Sequence, residues 1–193
     1  MYLYGASGHA KVVISNLESQ GELIHGLFDD DTSVVECLNY RVFQWGSVSP
    51  TSLYLIVSIG DNSIRYQISE RLQGEVVFGR AIHRYALVSS HAEIAAGTVV
   101  MAGAVIQPDA RIGSHVIVNT SASVDHDCRV GDYVHIGPKA VLCGEVKIGK
   151  GALIGAGSTL VPGVRVGEGC VIGAGSTVLR DVADGEKVWG TVK

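Results

Sequence analysis

One histidine stands between two carboxylates, in the run Asn119-Thr120-Ser121-Ala122-Ser123-Val124-Asp125-His126-Asp127-Cys128. A neighbouring acid favours the charged imidazolium and so raises basicity, which makes His126 with Asp127 a candidate general base. A solvated surface histidine is the plainer reading of the same residues. A second histidine, His135, follows in Gly131-Asp132-Tyr133-Val134-His135-Ile136-Gly137. Far upstream, Gly5-Ala6-Ser7-Gly8-His9-Ala10-Lys11 reads as a glycine turn opening a helix, where backbone N–H groups and the helix dipole suit an anion such as phosphate. The spacing departs from the dinucleotide fingerprint GxGxxG. Asp29 and Asp30 end a second strand, where carboxylates can accept hydrogen bonds from ribose hydroxyls or base N–H groups, although a solvated turn would hold them equally. Ser58-Ile59-Gly60-Asp61-Asn62 ends a third. Three polar loops at one sheet edge fit the rule that α/β ligands bind beyond the carboxyl ends of strands, and the ligand inferred is a nucleotide sugar.

The elements that carry these residues are of two kinds. From Val88 to Val178 an aliphatic residue occupies every sixth position without a miss. Neither the period of a helix nor that of a flat strand gives six, so the chain must return to one face every six residues, as in a hexapeptide β-solenoid. Four residues after each anchor stands a small or β-branched residue, such as Ala104, Ala122, Cys128 or Ser158. Glycine often follows the anchor (Gly113, Gly131, Gly149), suiting either positive φ or close backbone approach. Three hexapeptides make a triangular coil, so the anchors predict about five coils stacked at the ~4.8 Å strand spacing.

The first eighty residues lack this period. They read as a strand at 2–4, a helix at about 9–20, a strand at 23–28, a loop with an extended piece near Val42, a strand at 53–59, a helix at about 62–73 and a strand at 76–78. Alternating strands and helices predict a small parallel, Rossmann-like α/β sheet. The expected organisation is therefore an α/β unit over residues 1–80 and a β-helix over 81–193.

Composition bounds the partners. The 193 residues are 47% hydrophobic and 18% charged with net charge −4, an ordinary globular balance. Lys and Arg show no cluster along the sequence, so nothing marks a nucleic-acid surface. Neither a leader nor an apolar run long enough for a membrane span is visible, and a cytoplasmic protein is expected. Cys128 and Cys170 fall on the small inward position, where a thiol packs as a compact hydrophobe, whereas Cys143 lies just past an anchor. No three histidines fall at evident metal-ligand spacing, so no metal is expected.

The glycine turn, the Asp29-Asp30 pair, Ile59-Gly60-Asp61-Asn62, the Asn119–Cys128 run, Val134-His135-Ile136 and the terminal hexapeptides together resemble the nucleotide-sugar acetyltransferases of bacterial glycan pathways. That group includes bacillosamine-pathway and perosamine N-acetyltransferases and sialic acid O-acetyltransferases. The resemblance implies a left-handed β-helix, acetyl-CoA as donor and a nucleotide-linked 4-amino-4,6-dideoxy sugar as acceptor. It implies that His126 is the base, that Asp127 raises its basicity and that His135 lies near the acetyl group. Ser7, Gly8, His9, Asp29, Asp30 and Gly60 would hold the nucleotide sugar. Three chains would associate, with the cofactor in a groove between them against backbone near Gly144, Ala156 and Ala174. The chain departs from the group at its end, where Trp189-Gly190-Thr191-Val192-Lys193 replaces a Gly-x-Pro-Ala-Lys segment, and it lacks an inserted solenoid loop. O-acetylation of a sugar hydroxyl, and a noncatalytic nucleotide-binding role, remain as alternatives.

Overall fold

The structure, a computed structural model, describes residues 1–47 and 53–193. The N-terminal part holds β1 (Tyr2–Tyr4), α1 (Gly8–Ser19), β2 (Gly26–Phe28), β3 (Glu36–Cys37), β4 (Tyr40–Phe43), β5 (Tyr54–Val57), α2 (Asn62–Arg71) and β6 (Val77–Phe78). These strands form one sheet in the order β3-β4-β2-β1-β5-β6. The sheet is parallel except at its edge, where β3 pairs antiparallel with β4. The expected all-parallel sheet is corrected there: Leu38 and Asn39 both take positive φ and turn the chain back in a tight hairpin. The strand expected over 23–28 shortens to Gly26–Phe28, since Leu23 is exposed. Part of the loop expected before Leu53, residues 48–52, lies outside the described residues.

From Ala81 onward the chain winds a three-faced parallel solenoid. Face I runs through Ala81–Ile82, Val99–Val100, Ile117–Val118, His135–Ile136, Leu153–Ile154, Val171–Ile172 and Lys187–Val188. Face II begins at Leu87–Val88 and ends at Thr191–Val192; face III runs from Glu93–Ile94 to Arg165–Val166. Faces of seven, seven and five strands exceed the five coils expected. The excess comes from Ile82, one hexad before the first anchor counted, and from the tail, which breaks the six-residue phase after Val178 yet still pairs onto faces I and II. The departing C-terminal segment is thus part of the solenoid wall.

Inside, anchors and small residues alternate in one core: Val124, Cys128, Ile136, Ala140, Leu142 and Val146 are all fully buried. Burial of large aliphatics between layers of Ala and Cys is what fixes the coil's narrow cross-section. The third residue after each anchor, from 97 to 175, takes positive φ whether or not it is glycine; Asp109, His115, Ser121, Asp127, Tyr133, Lys139 and Glu145 all do so. The glycines directly after anchors do not. At Gly113 an added Cβ would lie 2.8 Å from the Asp132 nitrogen of the next coil, so the need there is close approach between coils.

The N-terminal unit packs on face I. Asn16 of α1 donates to the carbonyls of Ala81 and Val100, and Asn62 donates to those of Gly151 and Ala152. Among the described residues no helix is long and apolar enough to cross a membrane, and no cluster of three or more His, Cys, Asp or Glu could hold a metal ion.

Candidate active site

His126 sits on the edge where face II turns into face III, between strands Ser123–Val124 and Arg129–Val130. Asp127 takes φ +61, and this tight left-handed turn places its carboxylate beside the preceding ring: Oδ2 lies 2.8 Å from His126 Nδ1. The backbone N–H of His126 donates to Asp125 Oδ1 at 2.8 Å. A carboxylate can only accept, so Nδ1 carries the proton and Nε2 is left as the basic nitrogen. Both side chains are more than half exposed. The Asp127 hydrogen bond, helped by the nearby charges of Asp125 and Glu145, raises the His126 pKa above its usual value. One coil on, Gly144 lies under the ring: an added Cβ would come within 2.7 Å of Cε1 and Nε2. Glycine therefore vacates the space that the imidazole occupies.

His135 is placed differently. It projects from face I beneath the N-terminal unit, where Asn119 Nδ2 lies 3.0 Å from Nε2 and the Gly60 carbonyl 3.3 Å from Nδ1. The Asn119 oxygen is already held by the Thr120 N–H, so its amide donates to Nε2, while Nδ1–H donates to Gly60. Both ring nitrogens are thus engaged inside the chain. Burial, then the nearby Arg65 charge, lowers the His135 pKa to about 4. His9 packs 6.3 Å from it, centroid to centroid, and is lowered to about 4 by burial, His135 and Arg65.

Arg65 is the residue that sequence reading missed. It is 1% exposed, and its guanidinium donates to the carbonyls of His115, Tyr133, Ile59 and Gly60 and to Asn62 Oδ1. One side chain thereby ties the Gly60 loop to two successive coils. A lone arginine in a polar helix gives no pattern that separates it from a solvated one.

Around the sheet edge, Gly5 takes φ +104, and a Cβ there would strike Ile59 at 2.6 Å. Asp29 Oδ2 accepts the Ala6 N–H at 2.7 Å, and Oδ1 accepts that of Asp31 at 2.9 Å, so this carboxylate braces the glycine turn. Asp30 bonds Tyr4 Oη and pairs with Arg71 at 3.3 Å. Ser7 caps α1 in position but makes no side-chain cap bond, and Ser7 and Gly8 are exposed. Beside Gly60, a cavity of about 560 Å³ is lined by Asn62, Tyr66, Tyr133, His135 and Lys150.

Of the residues singled out, the structure groups Ser7, Gly8, His9, Asp29, Asp30, Gly60 and His135 on the face I side. His126, Asp127 and Gly144 share the edge between faces II and III. Ala156 and Ala174 are exposed on a third location, the edge between faces I and II, stacked with Pro138 through the Gly157 and Gly175 N–H groups. The absence of a cation cluster is also corrected. Arg111, Arg129, Lys147 and Arg165 recur every eighteen residues, and the coil pairs them in register across face III.

Comparison with known proteins places this geometry. The PglD N-terminal domain family matches residues 1–72, and the bacterial transferase hexapeptide (six repeats) family matches 109–144 and 145–180. No curated protein sequence matches the chain. Among solved structures, a histidine-to-asparagine variant of perosamine N-acetyltransferase from Caulobacter crescentus, with CoA and GDP-perosamine, is 36% identical with a TM-score of 0.94, over 98% of this chain and 92% of that one. The acetyltransferase domain of PglB from Neisseria gonorrhoeae, with acetyl coenzyme A, is also 36% identical, with a TM-score of 0.92 over 98% and 95%. WeeI from Acinetobacter baumannii is 25% identical, with a TM-score of 0.92 over the same shares. With a PglD-type unit joined to hexapeptide coils along nearly its whole length, the chain belongs to the hexapeptide-repeat nucleotide-sugar acetyltransferases.

Proposed function

We propose that the protein transfers an acetyl group from acetyl-CoA to the amino group of a nucleotide-linked 4-amino-4,6-dideoxy sugar, with His126 as general base. The observation that carries this reading is the exposed His126–Asp127 pair, at 2.8 Å, with Nε2 directed over Gly144. A sugar amine is mostly protonated at neutral pH and must shed a proton to attack a thioester. The raised basicity of His126 suits that task, and general-base catalysis is worth about 10²–10⁴-fold. The Gly144 N–H makes no hydrogen bond among the described residues and is available to the charge developing on the carbonyl oxygen. Acetyl-CoA supplies the activated acyl group, and the long groove along face III, about 980 Å³, fits an extended cosubstrate. No covalent acetyl-enzyme is needed.

The proposal includes three chains. In a three-faced coil, the edge between faces II and III is the one that face I does not share. His126 and the nucleotide-binding loops of one chain therefore lie on opposite sides of the prism, and a single substrate reaches both when a neighbour supplies one of them. Face II suits the contact: its outward column of Leu87, Val105, Ser123, Val141, Thr159 and Thr177 is uncharged. The same packing would bring Gly144 of one chain near Ala156 and Ala174 of the next.

The direct test is thiol release from acetyl-CoA with uridine, thymidine and guanosine diphosphate 4-amino sugars, compared by kcat/KM. Turnover with one of the three supports the reading; none with any of them overturns it. Light scattering checks the assembly, and a fully active monomer would remove the shared site.

A further inference from the structure

The joint between the N-terminal unit and the solenoid gathers the buried charge of the molecule. Of the Asp, Glu, His, Lys and Arg side chains described, only Arg65 and His115 are buried, and both lie in this joint. The Arg65 guanidinium meets carbonyls and the Asn62 amide oxygen, and no carboxylate bonds to it. A buried charge without a counter-ion holds only while every one of those dipoles stays in place.

The ledge beneath α2 is strained. Along the edge between faces III and I the left-handed positions are Gly97, His115, Tyr133, Gly151, Gly169 and Gly185. Two bulky residues thus adopt, at φ +55 and +59, a backbone that glycine fills elsewhere on the edge. Their rings stack in parallel with centroids 5.2 Å apart; Phe78 of β6 stands edge-on to His115, and Tyr66 of α2 edge-on to Tyr133. The carbonyls of the same two residues hold Arg65.

The joint has no place for a further proton. Neither ring nitrogen of His115 has a hydrogen-bond partner among the described residues; Nδ1 is enclosed, and an added Cβ at Gly97 would overlap the ring. His9 Nε2 is likewise enclosed without a partner. Nε2 of His135 faces the Asn119 amide N–H, so a proton there would set donor against donor. The carboxylates nearby are engaged elsewhere: Asp132 accepts the Ser114 N–H, Glu70 the Tyr133 hydroxyl, and Asp61 the Ile64 N–H at the start of α2. Lys150, over the Tyr66 and Tyr133 rings, adds a second positive charge to that of Arg65.

We propose that this joint is an acid-operated latch: protonation of His9, His115 and His135 releases Arg65 from the ledge and lifts the N-terminal unit off face I while both units stay folded. In the closed form burial, with Arg65 contributing at each ring, holds all three neutral with pKa about 4, against about 6.5 when free. Closure is therefore fully favoured above pH 6.5 and weakens as pH falls toward 4. Parting carries the Gly60 loop away from His135 and opens the candidate site without touching His126.

Small-angle X-ray scattering of the whole chain from about pH 7.5 to 4, with tryptophan emission read on the same samples, tests this without turnover. Trp45 packs on Tyr4 and Phe28 within the N-terminal unit, and Trp189 follows the last strand of face I at the far end of the solenoid. Emission thus reports unfolding of either unit and not their parting. The expected result is a reversible rise in radius of gyration below pH 6.5 with emission unchanged, steepened by uptake of up to about three protons. His115→Phe keeps the ring stack, loses no side-chain hydrogen bond and takes no proton, so its opening should move to lower pH and be shallower by one proton. The wild-type titration decides the opening by itself, and the variant assigns the proton. A radius constant down to pH 4, or expansion that comes only together with an emission shift, would overturn the latch. So would opening of His115→Phe at the pH and steepness of the wild type.

Discussion

His126 and His135 belong to one solenoid and differ in whether the N-terminal unit covers them. On the uncovered edge the ring is more than half exposed, takes a carboxylate as partner and becomes a stronger base. Under the N-terminal unit the ring loses water, has both nitrogens occupied and is held neutral, with a pKa of about 4. His126 stands on a turn between two faces and His135 in a strand of face I, and docking of a second unit over face I separates their chemistry further. The edge leaves the His126 ring open to solvent, and face I engages the His135 ring in contacts with the N-terminal unit.

The contrast breaks most visibly under alanine. His126→Ala should cut kcat by about 10²–10⁴ with stability unchanged, because the ring is exposed and supports no packing. His135→Ala should instead cost about 1–3 kcal/mol of stability, since Asn119 and Gly60 lose their partner inside a covered site. Chemical denaturation together with steady-state kinetics reads both. If His126→Ala unfolds early, or His135→Ala abolishes turnover at full stability, the division of roles is wrong.

Acid should lower stability through the covered side. His9, His115 and His135 each have a folded pKa of about 4, below the value near 6.5 expected of the unfolded chain, with burial as the leading cause. Their contribution is fully present above pH 6.5 and is lost as pH falls toward 4, where the unfolded chain binds protons that the folded one refuses. Each histidine contributes up to about 3 kcal/mol over that window. The midpoint of denaturation should therefore drop steeply between pH 6.5 and 4. His126, with its pKa raised, works in the opposite sense, and His126→Ala should leave the slope unrelieved.

How much of this could be read from sequence follows the same division. The anchors from Val88 to Val178 give the coil because the period is strictly local, and Asp125-His126-Asp127 gives the histidine–carboxylate pair because its partner is adjacent. The cover over His135 could not be read, since it depends on α2 docking through Arg65, a contact spanning 68 residues to Tyr133. The cation ladder was legible in principle, but at a period of eighteen, three hexads, rather than as a cluster. The left-handed column was hidden because half its members, Asp127 and Tyr133 among them, are not glycine.

Gly144→Ala probes the space that the edge leaves for its base. The added methyl would lie within 2.7 Å of Nε2 and Cε1, and Gly144 lacks positive φ, so the backbone tolerates alanine and the ring must move. A displacement on the order of 1 Å in a reacting group can cost about 10²-fold. The expected result is a fall in kcat approaching that size with Tm nearly unchanged. Equal turnover in Gly144→Ala would mean that the ring does not act from this position.

Asp127→Asn should produce the smallest change and the most diagnostic one. The amide keeps the left-handed turn, since asparagine tolerates positive φ, and can still accept from Nδ1–H, so His126 stays in place. What disappears is the charge that favours the imidazolium, leaving Asp125 and Glu145 as more distant contributors. The His126 pKa should fall toward its usual value. The acid limb of kcat/KM, where the base must be unprotonated, should move to lower pH by the same amount. The plateau rate should drop less than about tenfold, as expected for a weaker base held in the same geometry. A limb that stays put while the plateau collapses would show that Asp127 positions the ring and does not tune it, and the comparison with His135 would then rest on exposure alone.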